Sequence, residues 1–253
     1  MPLKKDKQML RILYAVYFGL IAIPVFVVHT ILTALIVTVG CLLGGEKFFS
    51  FYPGMLWSKV TCRLAMCPVK VYGREHLHKG QSYVFVANHQ GAFDIFLIYG
   101  FLGVPMKWMM KRGLAKIPFV GYACRAAGFI FVDNSSPKAA RRSIAEAEQK
   151  LKNGASLTVF PEGSRSETGK VGRFKKGAFQ IALDLHLPIV PITLNGPYHV
   201  LPIGSWRVRP HRMEMVIHPP IHETEQPIAS GSLQQYADTT KQIITSALWE
   251  EFK

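Results

Sequence analysis

The chain has 253 residues, with 30 Lys and Arg against 16 Asp and Glu, a formal charge of +14. It is 49% hydrophobic and only 18% charged, which excludes intrinsic disorder, and its four cysteines make no disulfide framework. A polytopic transporter fits poorly, because a single segment is long and apolar enough to cross a bilayer; the basic excess suits nucleic acid or anionic membrane, and composition does not choose between them.

Lys4, Lys5, Lys7 and Arg11 lead into 34 uncharged residues, Ile12 to Gly45. As one helix this run would measure roughly 50 Å, against a hydrocarbon core of about 30 Å. Pro24 is expected to interrupt it, and His29 and Thr30 form a polar notch. The apolar region of a secretory signal would be only about 7–15 residues long. From Glu46 to Met66, large apolar residues such as Phe48, Tyr52, Met55, Leu56, Val60 and Leu64 recur at steps of mostly three and four, an amphipathic helix. Basic residues flank the apolar run on both sides, so a single span would set one group against the positive-inside tendency. The preferred reading is a membrane-associating helical hairpin over residues 1–67, dipping into one leaflet; a single tilted span is the alternative.

From Pro68 to residue 253 the texture is that of a second unit. Val69–Tyr72, Tyr83–Ala87, Lys107–Met110, Phe129–Val132, Leu157–Phe160, Ile189–Leu194 and Met213–Ile217 read as strands. Helical patterns lie at about Ala92–Phe101, Lys138–Lys152, Gly177–Leu185 and Ser232–Phe252. Ser136-Pro137 marks a helix start, Asn153-Gly154 a stop, and Thr224–Ser232 a linker into the last helix. This alternation predicts an α/β fold with a mixed, largely parallel central sheet flanked by helices.

Two segments that follow strands carry candidate chemistry. In Asn88-His89-Gln90-Gly91-Ala92-Phe93-Asp94, His89 and Asp94 are five apart. On a continuous helix they would diverge by about 140°, but across a strand-to-helix turn they can meet. A carboxylate on one ring nitrogen fixes the tautomer and leaves the other free to take a proton. Spacing alone leaves both a general base and a structural turn histidine open. In Phe160-Pro161-Glu162-Gly163-Ser164-Arg165-Ser166, Gly163 permits a tight turn and Arg165 offers a planar fork suited to phosphate. In open α/β sheets ligands sit beyond the carboxyl ends of strands, so both segments could face one crevice.

The blocks NHQGAFD (88–94), GFIFVDN (128–134), FPEGSRS (160–166) and VPIT (190–193), in this order, resemble the four motif blocks of the glycerolipid acyltransferases, especially the 1-acyl-glycerol-3-phosphate acyltransferases. KRGLAKIPFVG (111–121) and FKKGAFQIAL (174–183) are similar to that family as well. The resemblance implies that His89 is the general base, oriented by Asp94, for direct attack of a lysophosphatidic acid hydroxyl on an acyl thioester, without an acyl-enzyme. It further implies that Arg165 binds the acceptor phosphate, Glu162 shapes the acceptor site, and Gly163 with nearby amides helps hold the oxyanion. Lys111 is the preferred second phosphate ligand and Lys107 a weaker one. The donor would be acyl-CoA or an acyl-carrier protein, with no cofactor. The family's second block usually ends in Arg; here Asn134 stands in its place, which admits another lyso-lipid or transacylation as an alternative, and Arg141 or Arg142 could compensate.

The remaining signals are weaker. His76, His78, His218 and His222 lack the partners that would complete a metal site, and no metal is expected. Cys62 and Cys67 read as buried thiols. No nucleic-acid motif accompanies the charge, which clusters at 107–142 and 165–176 and suits an anionic membrane surface or the phosphates of a donor. The expected location is a membrane, monotopic or re-entrant at the inner membrane, with the crevice facing the cytoplasm.

Overall fold

A computed structural model describes residues 2–133, 135–151, 154–222 and 233–253. The apolar run forms one long helix, in which α1 (Pro2–Tyr17), a π-helical stretch (Phe18–Ala22) and α2 (Ile23–Leu42) follow without a break. Pro24 therefore does not interrupt the helix, contrary to the sequence expectation. Proline lacks an N–H, and its ring collides with the carbonyl four residues back. Here the preceding turn is wound wider, with the Ile23 N–H on the Phe18 carbonyl, and that turn takes up the misfit.

Gly44, at φ +89°, turns the chain into α3 (Glu46–Phe49) and α4 (Tyr52–Leu64), which run back along the long helix. The Tyr14 and Tyr17 hydroxyls donate to the Ala65 and Leu64 carbonyls, each at 3.2 Å. Further along, Trp57 Nε1 donates to Thr30 Oγ1 at 2.9 Å, and the Phe49 ring covers Gly40 so closely that a Cβ there would overlap it. These contacts, spread from one end to the other, define the antiparallel hairpin expected from the sequence.

The seven expected strands are all present: β1 (Val69–Tyr72), β2 (Val84–Ala87), β3 (Met106–Lys111), β4 (Ile130–Val132), β5 (Ser156–Val159), β6 (Ile189–Asn195) and β7 (Met213–Ile217). They form one sheet in the order β1-β7-β6-β2-β5-β3-β4, parallel throughout except where β6 meets β7. The other helices are α5 (Phe93–Phe101), α6 (Val120–Ala126), α7 (Pro137–Leu151), α8 (Gly177–Asp184), α9 (Pro197–Val200) and α10 (Leu233–Ser246). The final helix ends at Ser246, earlier than expected, and a 3₁₀ turn (Glu250–Phe252) follows. Asn134, Asn153 and the expected linker Thr224–Ser232 lie outside the described residues.

Strand periodicity sorts the apolar residues into two cores. Phe85 and Ala87 of β2, with Tyr83 just before it, share a core with Leu97 and Ile98 of α5, Ala123 of α6 and Ala34 and Val37 of α2. Val84 and Val86 face Ala147 of α7, Phe179 and Ile181 of α8 and Ala237 and Ile244 of α10. Each fully buried large apolar side chain contributes about 1.5–3 kcal/mol, so both layers are held firmly to the sheet. The hairpin belongs to the first layer. Gly54 of α4 lies under the Tyr99 ring of α5, Gly100 of α5 lies beside Ser58, and the Tyr99 hydroxyl donates to the Ser50 carbonyl at 2.7 Å.

This topology places the site. The connection from β2 passes over one face, through α5, to reach β3 beyond β5. The connection from β5 passes over the other face, through α8, to reach β6 beyond β2. Two adjacent strands thus send their chains to opposite faces, and a crevice opens between their carboxyl ends.

Candidate active site

β2 ends at Ala87, one residue short of the loop that bears His89. Asn88 finishes the strand with its side chain: its amide donates to the Leu194 carbonyl at 3.0 Å, and its oxygen accepts the Leu194 N–H at 2.8 Å. The next residues are fixed from the other side. The Glu162 carboxylate accepts the His89 N–H at 2.8 Å and the Gly172 N–H at 2.8 Å, and the Ser166 N–H donates to the His89 carbonyl at 2.7 Å. Gln90 is buried and donates to the Gly169 carbonyl. Gly91 is required sterically, because a Cβ would press on the Pro197 and Leu201 carbonyls.

His89 is therefore held on both flanks, and its ring is stacked on Phe160, with centroids 4.0 Å apart and planes 9° apart. Its Nδ1 is 2.6 Å from Oδ2 of Asp94, which also accepts the Gly91 N–H at 2.8 Å. Asp94 sits in the first turn of α5 and is 0% exposed. Burial pushes its carboxyl up; the bonds from His89 and Gly91 pull the other way without cancelling it. Burial likewise pushes Glu162 up against its two N–H donors. The His89 side chain is 15% exposed, enough to present Nε2, the nitrogen not engaged by Asp94. The arrangement is a tautomer-fixed imidazole at the mouth of a crevice.

Beside it, an open cleft of about 670 Å³ is lined by Glu162, Arg165, Arg173, Lys175 and Lys176. Arg165 has no protein hydrogen-bond partner among the described residues. Gly163 turns the loop at φ +75°, and Lys175 lies over it so closely that a Cβ would meet the ammonium. The Gly163 N–H is already donated to the Phe160 carbonyl at 3.0 Å, so this amide is not free to hold an oxyanion. Lys111 is exposed at the carboxyl end of β3, on the crevice edge of the sheet. Lys107 is not: it lies toward the opposite end of the same strand, where its ammonium binds Glu46 at 2.7 Å and the Ala127 carbonyl at 2.6 Å. Asp133, next to the position where a family Arg was expected, is held by Ser135 and Arg112 and falls to about 2.

Sequence reasoning found the His89–Asp94 pair and the Glu162 to Arg165 loop. It missed the tethers, Asn88 and Gln90, whose partners stand far along the chain. Of the histidines weighed as metal ligands, His76 meets the Ile217 carbonyl and His218 meets Thr193, and no group of three or more His, Cys, Asp or Glu that could hold a metal ion appears among the described residues. Cys62 and Cys67 are buried free thiols, as expected.

A protein-family model described as Acyltransferase matches residues 68–195. The chain belongs to the acyltransferase family. Similar proteins include the chloroplastic 1-acyl-sn-glycerol-3-phosphate acyltransferase of Arabidopsis thaliana, 33% identical over 179 residues, which are 70% of this chain and 50% of that one. The 1-acyl-sn-glycerol-3-phosphate acyltransferase of Pseudomonas aeruginosa is 35% identical over 158 residues, 61% of this chain and 60% of that one. The chain thus spans only about half to three-fifths of the length of these curated relatives. The crystal structure of the 1-acyl-sn-glycerophosphate acyltransferase PlsC from Thermotoga maritima superimposes with a TM-score of 0.77 at 27% identity, covering 95% of this chain and 96% of that one. The His89–Asp94 motif, the Glu162–Arg165 loop, Lys111 and the Asn88–Leu194 clamp all lie within the matched acyltransferase region, whereas Pro197 and Leu201, which crowd Gly91, lie just beyond it; the structural match, covering 95% of this chain, extends into the hairpin.

Proposed function

We propose that this acyltransferase moves a fatty acyl group from an acyl thioester to the free hydroxyl of 1-acyl-glycerol-3-phosphate, forming phosphatidic acid. The observation that carries the reading is the 2.6 Å pair of His89 with a fully buried Asp94, in a chain whose relatives bear the name of that activity. With Nδ1 committed to Asp94, Nε2 takes the proton of the acceptor hydroxyl. The oxygen attacks the thioester carbonyl, the carbon–sulfur bond breaks, and the imidazolium returns its proton to the departing thiolate. Asp94 stabilises the imidazolium in the interval. An acyl-enzyme is unnecessary: no Ser or Cys stands in a nucleophile-elbow context, and burial raises the Cys62 and Cys67 thiols to about 12 and 11, which disfavours the nucleophilic thiolate.

Arg165, with its unshared guanidinium, is assigned to the acceptor phosphate, with Lys111 as a second cation. Glu162 acts as a positioning residue, tying the His89 loop to the Gly172 loop. Acyl-CoA and an acyl-carrier protein both suit the positive edge as donors. Asn134, in place of the family's usual Arg, favours another lyso-lipid as the second reading.

We assign residues 1–67 to membrane attachment, with 68–253 as the catalytic unit and its crevice facing the cytoplasm. The Lys7–Leu42 helix is long and apolar enough to cross a bilayer. Its side-on packing along α4 and α6 supports a hairpin lying in one leaflet, since a crossing helix would have to draw α6 in with it.

The deciding assay combines purified protein, lysophosphatidic acid and labelled acyl thioesters, with lipids resolved by chromatography. Labelled phosphatidic acid is expected, and His89→Ala should lower kcat by about 10²–10⁴-fold while the fold persists. Near-wild-type turnover of this variant would defeat the mechanism.

A further inference from the structure

Two loops on the crevice edge of the sheet expose aromatic and aliphatic side chains that nothing in the reaction uses. One, residues 201–212, joins α9 to β7. Its Trp206 is 99% exposed, Ile203 is exposed nearby, and Arg207 is exposed beside them. The other leads from the end of β3 into α6. It exposes Ile117 and Phe119 next to an exposed Lys116, and Phe119 adopts φ +60°, a conformation that non-glycine residues seldom take. In strand order the loops flank the crevice, one beyond β6 and the other beyond β5.

Both loops are continuous with the apolar hairpin. α6 packs against α2. On the other side the loop ends at Met213, whose N–H donates to the Pro68 carbonyl at 2.9 Å, and the adjoining Cys67 thiol donates to the Ala65 carbonyl that also receives the Tyr14 hydroxyl. Aromatic side chains with adjacent Arg or Lys are the pairing found at membrane–water interfaces, where the ring enters the headgroup layer and the cation meets anionic lipid. A flat contact with a folded protein would leave the exposed apolar face of the long helix still uncovered; a lipid surface covers all three.

We propose that these two loops form a lipid-contacting rim, which together with the hairpin seats the crevice mouth on an anionic bilayer. This builds on the membrane assignment of the hairpin and not on the identity of the reaction.

Tryptophan emission tests it with the full chain in mixed phosphatidylglycerol and phosphatidylcholine vesicles whose acyl chains carry bromine. The difference between wild type and Trp206→Phe isolates the emission of Trp206. That component is expected to be blue-shifted and to lose about half or more of its intensity to bromine. In the double variant Trp206→Phe/Phe119→Trp, the reporter on the second loop should behave alike. Both positions are exposed, so the variants should fold; circular dichroism checks this. A red, unquenched component at either loop overturns the rim, as does a Trp206 component that ignores lipid and shifts when an acyl-carrier protein is added. Because quenching needs no turnover, its failure is distinct from failure of acyl transfer.

Discussion

Around His89, single atoms decide function. The ring is fixed by one carboxylate, one stacked phenyl and two main-chain bonds. Glu162 and Arg165, three apart, differ in commitment: the first is spent on backbone N–H groups, and the second has no protein hydrogen-bond partner among the described residues. Arg165→Ala is accordingly expected to raise KM for the phosphorylated acceptor by about tenfold or more, with a smaller change in kcat, as measured by initial rates. An unchanged acceptor KM and kcat/KM would remove Arg165 from the phosphate site. A second titration belongs to His218. Burial, then His76, lowers it from 6.5 to about 4, and its Nε2–H donates to Thr193, whose own hydroxyl donates to the Ile244 carbonyl. The neutral ring is the form the fold prefers. Its contribution to stability is complete above the unfolded value of 6.5 and is lost as pH falls from there toward 4. Thermal unfolding across that window should show Tm falling more steeply for wild type than for His218→Gln; parallel profiles would contradict this.

Among the elements, the strands were legible because short apolar runs stood between turn residues; the preference for Lys111 over Lys107 came from the family resemblance and not from the strand itself. α6 was not legible: it has seven residues and opens after Phe119 at positive φ, with no side-chain cap. The long helix was legible as apolar but not as continuous, since the rule that proline breaks a helix does not foresee the π-helical turn before Pro24. At the site, local spacing showed that His89 and Asp94 could meet across a strand-to-helix turn but left the role of the pair open, whereas the Asn88 clamp joins positions 88 and 194 and needs the sheet to exist. The seam between α4 and α5 offers a test at this scale. Gly54 leaves room for the Tyr99 ring. Gly54→Val should destabilise by about 1–3 kcal/mol through overpacking, seen as a Tm lower by several degrees and faster proteolysis within the hairpin. An unchanged Tm would mean that the hairpin is not locked to α5.

For the whole molecule, charge and apolar surface have separated. The apolar surface is concentrated on the outer side of the long helix, from Met9 to Leu43, while Arg165, Arg173, Lys175 and Lys176 gather at the cleft. Part of the +14 that composition could not interpret is thus gathered at one edge of the sheet. If the hairpin lies in one leaflet, an N-terminal tag on protein in sealed vesicles should share the protease sensitivity of the catalytic unit. Protection of the tag alone would establish a span.

The place of β7 has a consequence for the order in which the molecule can be built. Val69 pairs with Met213, and β7 stands between β1 and β6. During synthesis the hairpin and β1 leave the ribosome before the rest of the sheet, and β1 has no neighbour to bond until β7, the last of the seven strands, arrives. The nascent chain therefore carries its most water-averse helix through the synthesis of the other six strands before the sheet can close behind it. If the hairpin enters a bilayer, that bilayer is a waiting place as well as a workplace.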